Sequence, residues 1–125
     1  MIIADTSIWI EFLKNKEPIV SLFEEKLNSR DIIGISCVFG ELLQGCSDEN
    51  EIKIMKEYWN NIPRTEETNV WVEAGEYSGK NNLIAKAIGL IDSVILTLAL
   101  RTKSKIWTLD KKLLKILNKE TVFKM

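Results

Sequence analysis

The sequence predicts an α/β fold, a single-domain α/β/α sandwich with a mostly parallel sheet of about five strands spanning residues 1–125. Three observations predict it. Short apolar runs alternate along the chain with segments of helical periodicity, the pattern of strands joined by helical crossovers. The runs are brief and apolar, as strands covered by helices on both faces are. A chain of 125 residues, 46% hydrophobic and 28% charged, is long enough to bury roughly two thirds of its unfolded surface in one core.

In chain order, residues 2–4 read as a strand and residues 6–14 as the helix that follows it directly. Pro18, a favoured first-turn residue, opens a second helix with Ile19, Val20, Leu22, Phe23 and Leu27 as its apolar stripe. Residues 32–36 form the next strand. Residues 37–45 form a helix with Val38, Leu42 and Leu43 inward and Gly45 as its stop. A helix over 48–60 should bury Ile52, Ile54, Met55 and Trp59; Pro63 closes it, and 62–64 make a short strand. Val70, Trp71, Ala74 and Tyr77 mark the inner face of a helix over 68–82, and residues 91–101 form a strongly apolar one. Residues 105–108 are a strand, 111–118 a basic amphipathic helix and 122–124 a last strand. No repeat, low-complexity tract or linker interrupts the pattern.

Composition excludes several chemistries. There is no histidine, which removes a Ser-His-Asp triad, a Cys-His pair and histidine acid–base cleavage of RNA. Cys37 and Cys46 form no CxxC pair and read as packing residues. No apolar stretch reaches the ~20 residues of a membrane span. The start of the chain carries no basic leader, so a cytoplasmic protein is expected. The net charge of −1 hides an asymmetry: residues 101–125 carry 8 basic against 2 acidic residues, and the remainder is acidic. Lys111, Lys112 and Lys115 in that basic quarter suit a grip on a phosphate backbone, or else a solvated helix face.

Four acids stand out. Asp5 and Asp110 each end a strand candidate, at the carboxyl edge where ligands of parallel sheets collect. Asp92 is the one charge in the run 87–100, and Glu41 lies in an apolar helical stretch with Gln44 its only polar neighbour at helical spacing. Each has a plain alternative: Asp5, Asp92 and Asp110 as helix caps, Glu41 pointing outward. Taken together, four carboxylates sharing one edge repel one another and are tolerated around divalent cations. Oxygen ligands without Cys or His favour Mg2+ or Mn2+ over zinc.

The segments 3–7 (IADTS), 35–45 (ISCVFGELLQG), 91–95 (IDSVI) and 107–110 (WTLD), in this order, resemble the PIN-domain family and within it the toxin-type (VapC-like) endoribonucleases. The resemblance implies a five-stranded parallel sheet and a catalytic metal site built from Asp5, Glu41, Asp92 and Asp110. It places supporting hydroxyls at Ser7 and Thr108. It further implies a metal-dependent endoribonuclease acting as the toxin of a type II toxin–antitoxin pair. An antitoxin would mask the cleft with apolar anchors and a cation, and the protein would be a homodimer. Many relatives carry a further acid after the fourth; here Lys111 and Lys112 follow Asp110. Residues 62–90 match only in general character. Trp9 reads either as a wall of the antitoxin groove or as core. Two other readings remain: a PIN-like nuclease of RNA maturation, and a non-catalytic regulatory module of the phosphoacceptor type. The latter's adjacent acid pair is missing, since Ala4 and Thr6 flank Asp5.

Overall fold

The computed structural model describes residues 1–125. Strand β1 (Ile2–Ala4) pairs in parallel with β2 (Lys105–Trp107), Ile3 opposite Ile106. Successive strand residues point to opposite faces, and all three of β1 are buried. Both faces of the sheet are therefore covered, which requires the helical layers that the chain supplies: α1 (Thr6–Leu13), α2 (Ile19–Asn28), α3 (Ser36–Gln44), α4 (Glu49–Asn61), α5 (Val70–Lys80), α6 (Leu90–Thr102) and α7 (Lys111–Ile116). A 3₁₀ turn at Ile84–Lys86 joins α5 to α6.

The expectation of about five strands is corrected to two regular strands. Three single parallel bridges, Ile2 to Ile32, Gly34 to Arg64 and Ile106 to Val122, extend the pair outward on both sides. Five chain segments thus lie side by side and parallel, but the outer three touch for one residue pair each. Two features of the chain cut the contacts of residues 32–34 and 62–64 short. Ile35 turns straight into α3, and Pro63, which accepts the Gly34 N–H at 2.8 Å, has no N–H to return. Gly34 lies close under Ile62: a β-carbon there would stand 2.6 Å from Ile62 Cδ1, so a larger residue would require that side chain to turn aside.

Trp9 is fully buried and forms the hub of the core. Its ring meets Phe23, Phe39 and Tyr58 edge-on at centroid distances of 4.8, 5.0 and 5.5 Å, in the arrangement that aromatic quadrupoles favour. These contacts join α1, α2, α3 and α4. Phe23 passes the chain of rings on to Trp107 and Phe123. Trp9 is therefore core and no part of a groove wall.

Two helical faces differ from expectation. In α4 only Met55 is buried, while Ile54 is exposed; adjacent helical residues lie about 100° apart, and the single buried residue of α4 shows that the core covers only a narrow stripe of this helix. In α5 the inward stripe is Val70, Ala74 and Ser78, and Trp71, one step off it, is 45% exposed. Gly45 does end α3, yet with φ of −83° rather than in the left-handed cap conformation. Cys37 is buried, Cys46 half-buried, and neither is bonded to the other.

The two tryptophans should separate cleanly in urea titrations. Trp9→Ala should cost ~3–5 kcal/mol of unfolding free energy, and Trp71→Ala less than about 1 kcal/mol; equal losses would contradict this assignment of core and surface.

Candidate functional site

Asp5 leaves β1 and caps α1, its carboxylate accepting the N–H of Ile8 at 3.4 Å. The same oxygen accepts the Ser7 hydroxyl at 2.5 Å, and the other oxygen accepts the Thr108 hydroxyl. Ser7 Oγ in turn accepts the Leu109 N–H at 3.0 Å, and Thr108 Oγ1 accepts the Asp110 N–H at 3.0 Å. A small network thus ties the ends of β1 and β2 together around one carboxylate. Asp5 is only 6% exposed. Burial raises its pKa above the ordinary 3.8, against the pull of the Ser7 and Thr108 hydroxyls and backbone N–H groups.

Asp110 caps α7, accepting the N–H groups of Lys112 at 2.8 Å and Leu113 at 3.3 Å. Glu41 stands exposed on α3 and accepts the Thr6 hydroxyl at 2.8 Å. Thr6 was no candidate on sequence, although its place beside Asp5 is the signal that would have found it. Asp92 lies in the first turn of α6, whose N-cap is Gly89. It is therefore not the cap that its sequence position allowed.

Asp92 reports the field of the whole edge. Burial first, and then the charges of Asp110, Asp5 and Glu41, push its carboxyl up to about 6 from 3.8. No lysine or arginine pairs with any of the four acids: the ion pairs of the protein are Glu76 with Lys80 and Glu73 with Arg101. The fold brings Asp5, Glu41 and Asp110 within electrostatic reach of Asp92. As the side chains stand, however, no three converge closely enough to hold one ion. Lys111, Lys112 and Lys115 are exposed on α7, which starts at Asp110.

Beside Glu41 and Thr6, an open groove of about 470 Å3 runs between α1, α3 and α4, with Ile10, Leu13 and Ile54 among its apolar lining and Lys14 and Glu51 among its charges. The exposure of Ile54 noted above belongs to this groove.

An α/β protein that gathers unneutralised carboxylates at the carboxyl edge of its parallel strands is of the acidic-site class. The model of the family described as PIN domain matches residues 2–118, and the chain belongs to that family, whose fold is of the nuclease type. The match covers all four acids and α7. No curated protein matches the chain.

Asp92 has a consequence for stability. Its folded value lies above 3.8, so ionising it is uphill in the fold: the penalty is absent below about pH 4 and complete above about pH 6. In chelator-treated protein, Asp92→Asn should raise the melting temperature at pH 7.5 by ~4 °C, about 1 kcal/mol after solvent screening is allowed for. The gain should vanish at pH 4. Calorimetry at the two pH values decides it, and an equal gain at both would sink the electrostatic account.

Proposed function

We propose that the protein is a metal-dependent endoribonuclease, the toxin of a type II toxin–antitoxin pair, which hydrolyses RNA phosphodiester bonds with water. The observation that carries this reading is Asp92, an acid made hard to ionise by burial and three further acids with no base to relieve it. Such an edge has the donor chemistry of a hard divalent cation, Mg2+ or Mn2+. Asp5, Glu41, Asp92 and Asp110 would hold it. When bound, the ion lowers the pKa of a water and offsets charge growing on the phosphate.

The chain's own residues do the rest. Asp5 is held in one orientation by Ser7, Thr108 and the Ile8 N–H, which leaves about one of its four acceptor sites open. The Ser7 and Thr108 hydroxyls act through that carboxylate as supports. Lys111, Lys112 and Lys115 grip the RNA backbone, which fixes position and not sequence. With no histidine, no imidazole takes a proton from the RNA 2′-hydroxyl, and attack by water with the 3′-oxygen leaving gives products with 5′-phosphate and 3′-hydroxyl ends.

The apolar groove beside Glu41 suits an antitoxin segment that docks apolar anchors and brings a cation to the acids. A cytoplasmic homodimer completes the reading, which in these last respects rests on the family resemblance. No helix is long and apolar enough to cross a membrane.

Digestion of total RNA with Mg2+, with the new ends mapped, should yield 5′-phosphates, stop on adding chelator, and fall by at least about a hundredfold in Asp5→Asn or Asp92→Asn, whose fold persists by circular dichroism. Dominant 2′,3′-cyclic phosphate ends, or full activity in either variant, would refute the mechanism. Replacing Lys111, Lys112 and Lys115 by Gln should weaken binding to every RNA alike and flatten the slope of log affinity against log salt by about 2–3; a loss confined to one sequence would count against a backbone grip.

A further inference from the structure

Helix α3 carries Glu41, yet the residue at its N-cap is Ile35, which offers no side-chain acceptor. The missing cap comes from 31 residues further on. One carboxylate oxygen of Glu67 accepts the Ser36 N–H at 2.9 Å and the other accepts the Ser36 hydroxyl at 2.5 Å. A carboxylate at this end also meets the positive pole of the helix. Glu67 is itself held between two fixed points: Arg101 of α6 donates to the carbonyls of Glu66 and Thr68 at 3.3 and 3.4 Å and pairs with Glu73 of α5. The Glu67 carbonyl accepts the N–H of Val70, the first residue of α5.

We propose that Glu67 is a positioning residue: it clasps the start of α3 to the Arg101 anchor on α6 and so sets Glu41 in place relative to Asp92. The two acids lie on different helices, α3 packed on α1 and α4 and α6 packed on α5 and β2, and the segment 66–68 is a direct polar tie from α6 to the first turn of α3. Glu67 lies two residues past Thr65 and outside every motif that marks the four acids. Its role depends on bonds to Ser36 rather than on a ligand of its own. Gln at this position keeps an acceptor for the Ser36 N–H, whereas Ala removes both bonds.

The inference rests on the nuclease reading. Its test is Mn2+-supported cleavage of an RNA substrate by the full chain, with kcat, KM and the Mn2+ concentration for half-maximal rate measured in parallel, and hydrogen exchange of the amides of 36–41. Glu67→Ala should speed exchange at the start of α3, lower kcat and raise the Mn2+ requirement by about tenfold each, with KM for RNA within about twofold of the parent. Glu67→Gln should stay within about threefold of the parent. Should Glu67→Ala fail to fold, Ser36→Ala, an exposed change that deletes one of the two bonds, should lower kcat by about threefold at constant KM. A wild-type protein that cleaves normally beside an unaltered Glu67→Ala, a Gln variant as defective as the Ala one, or an unaltered Ser36→Ala overturns the positioning role alone. A wild type that cleaves nothing with Mn2+ overturns the nuclease reading, and this role with it.

Discussion

Taking a carboxylate out of water costs several kcal/mol unless its oxygens are hydrogen-bonded, and the architecture around Asp5 is organised by meeting that cost. One oxygen takes the Ser7 hydroxyl and the Ile8 N–H, the other the Thr108 hydroxyl. These donors come from the turn after β1 and the turn after β2, whose backbones are also joined by the bond from Asp5 N–H to the Trp107 carbonyl at 3.0 Å. The two regular strands are three residues long, too short for ladder bonds alone to lock their ends. Side-chain bonds through Asp5 close that edge, and the site is built upon it.

Helix termini then explain why acids collect there. The first turn of a helix leaves N–H groups unpaired and carries positive potential. In a parallel sheet the helices that follow strands all begin at the same edge. Asp5 caps α1, Asp110 caps α7 and Glu67 caps α3 from a distance; Asp92 occupies the first turn of α6, which follows the 3₁₀ turn rather than a strand. Capping and a clustered acidic edge are thus one arrangement, and the plain alternative for Asp5 and Asp110 does not compete with a functional role. The helix termini do not neutralise the cluster, since Asp92 still sits near 6. Lys111, Lys112 and Lys115 stay on the exposed surface of α7, and no basic residue pairs with the four carboxylates.

The groove beside Glu41 follows from the same geometry. Trp9 points inward to hold four helices together, and Ile10 and Leu13, on another side of α1, are left to line the groove with Ile54. Apolar side chains at its wall and an acid at its head are consequences of how α1 must turn to bury its tryptophan.

What the sequence determined by itself is what local rules carry: the order of strands and helices, the parallel α/β class, and the pairing of Asp5 and Asp110 with the starts of α1 and α7, because strand runs, helical stripes and N-caps are written over a few neighbouring residues. The solitary charge of Asp92 among apolar neighbours was legible in the same way, though not its rank in the turn, since Gly89 took the cap. The tertiary structure alone decided the rest. It shortened three strands to single bridges, two of them because Ile35 and Pro63 end the contacts that an apolar run would prolong. It turned Trp9 inward and Trp71 and Ile54 outward, because how wide a stripe of each helix is covered depends on the elements packed against it and not on the residues of that helix. It gave α3 a cap from Glu67, because an acceptor 31 residues away leaves no local trace, and a hydrogen bond depends on where two groups meet in space and not on their separation along the chain.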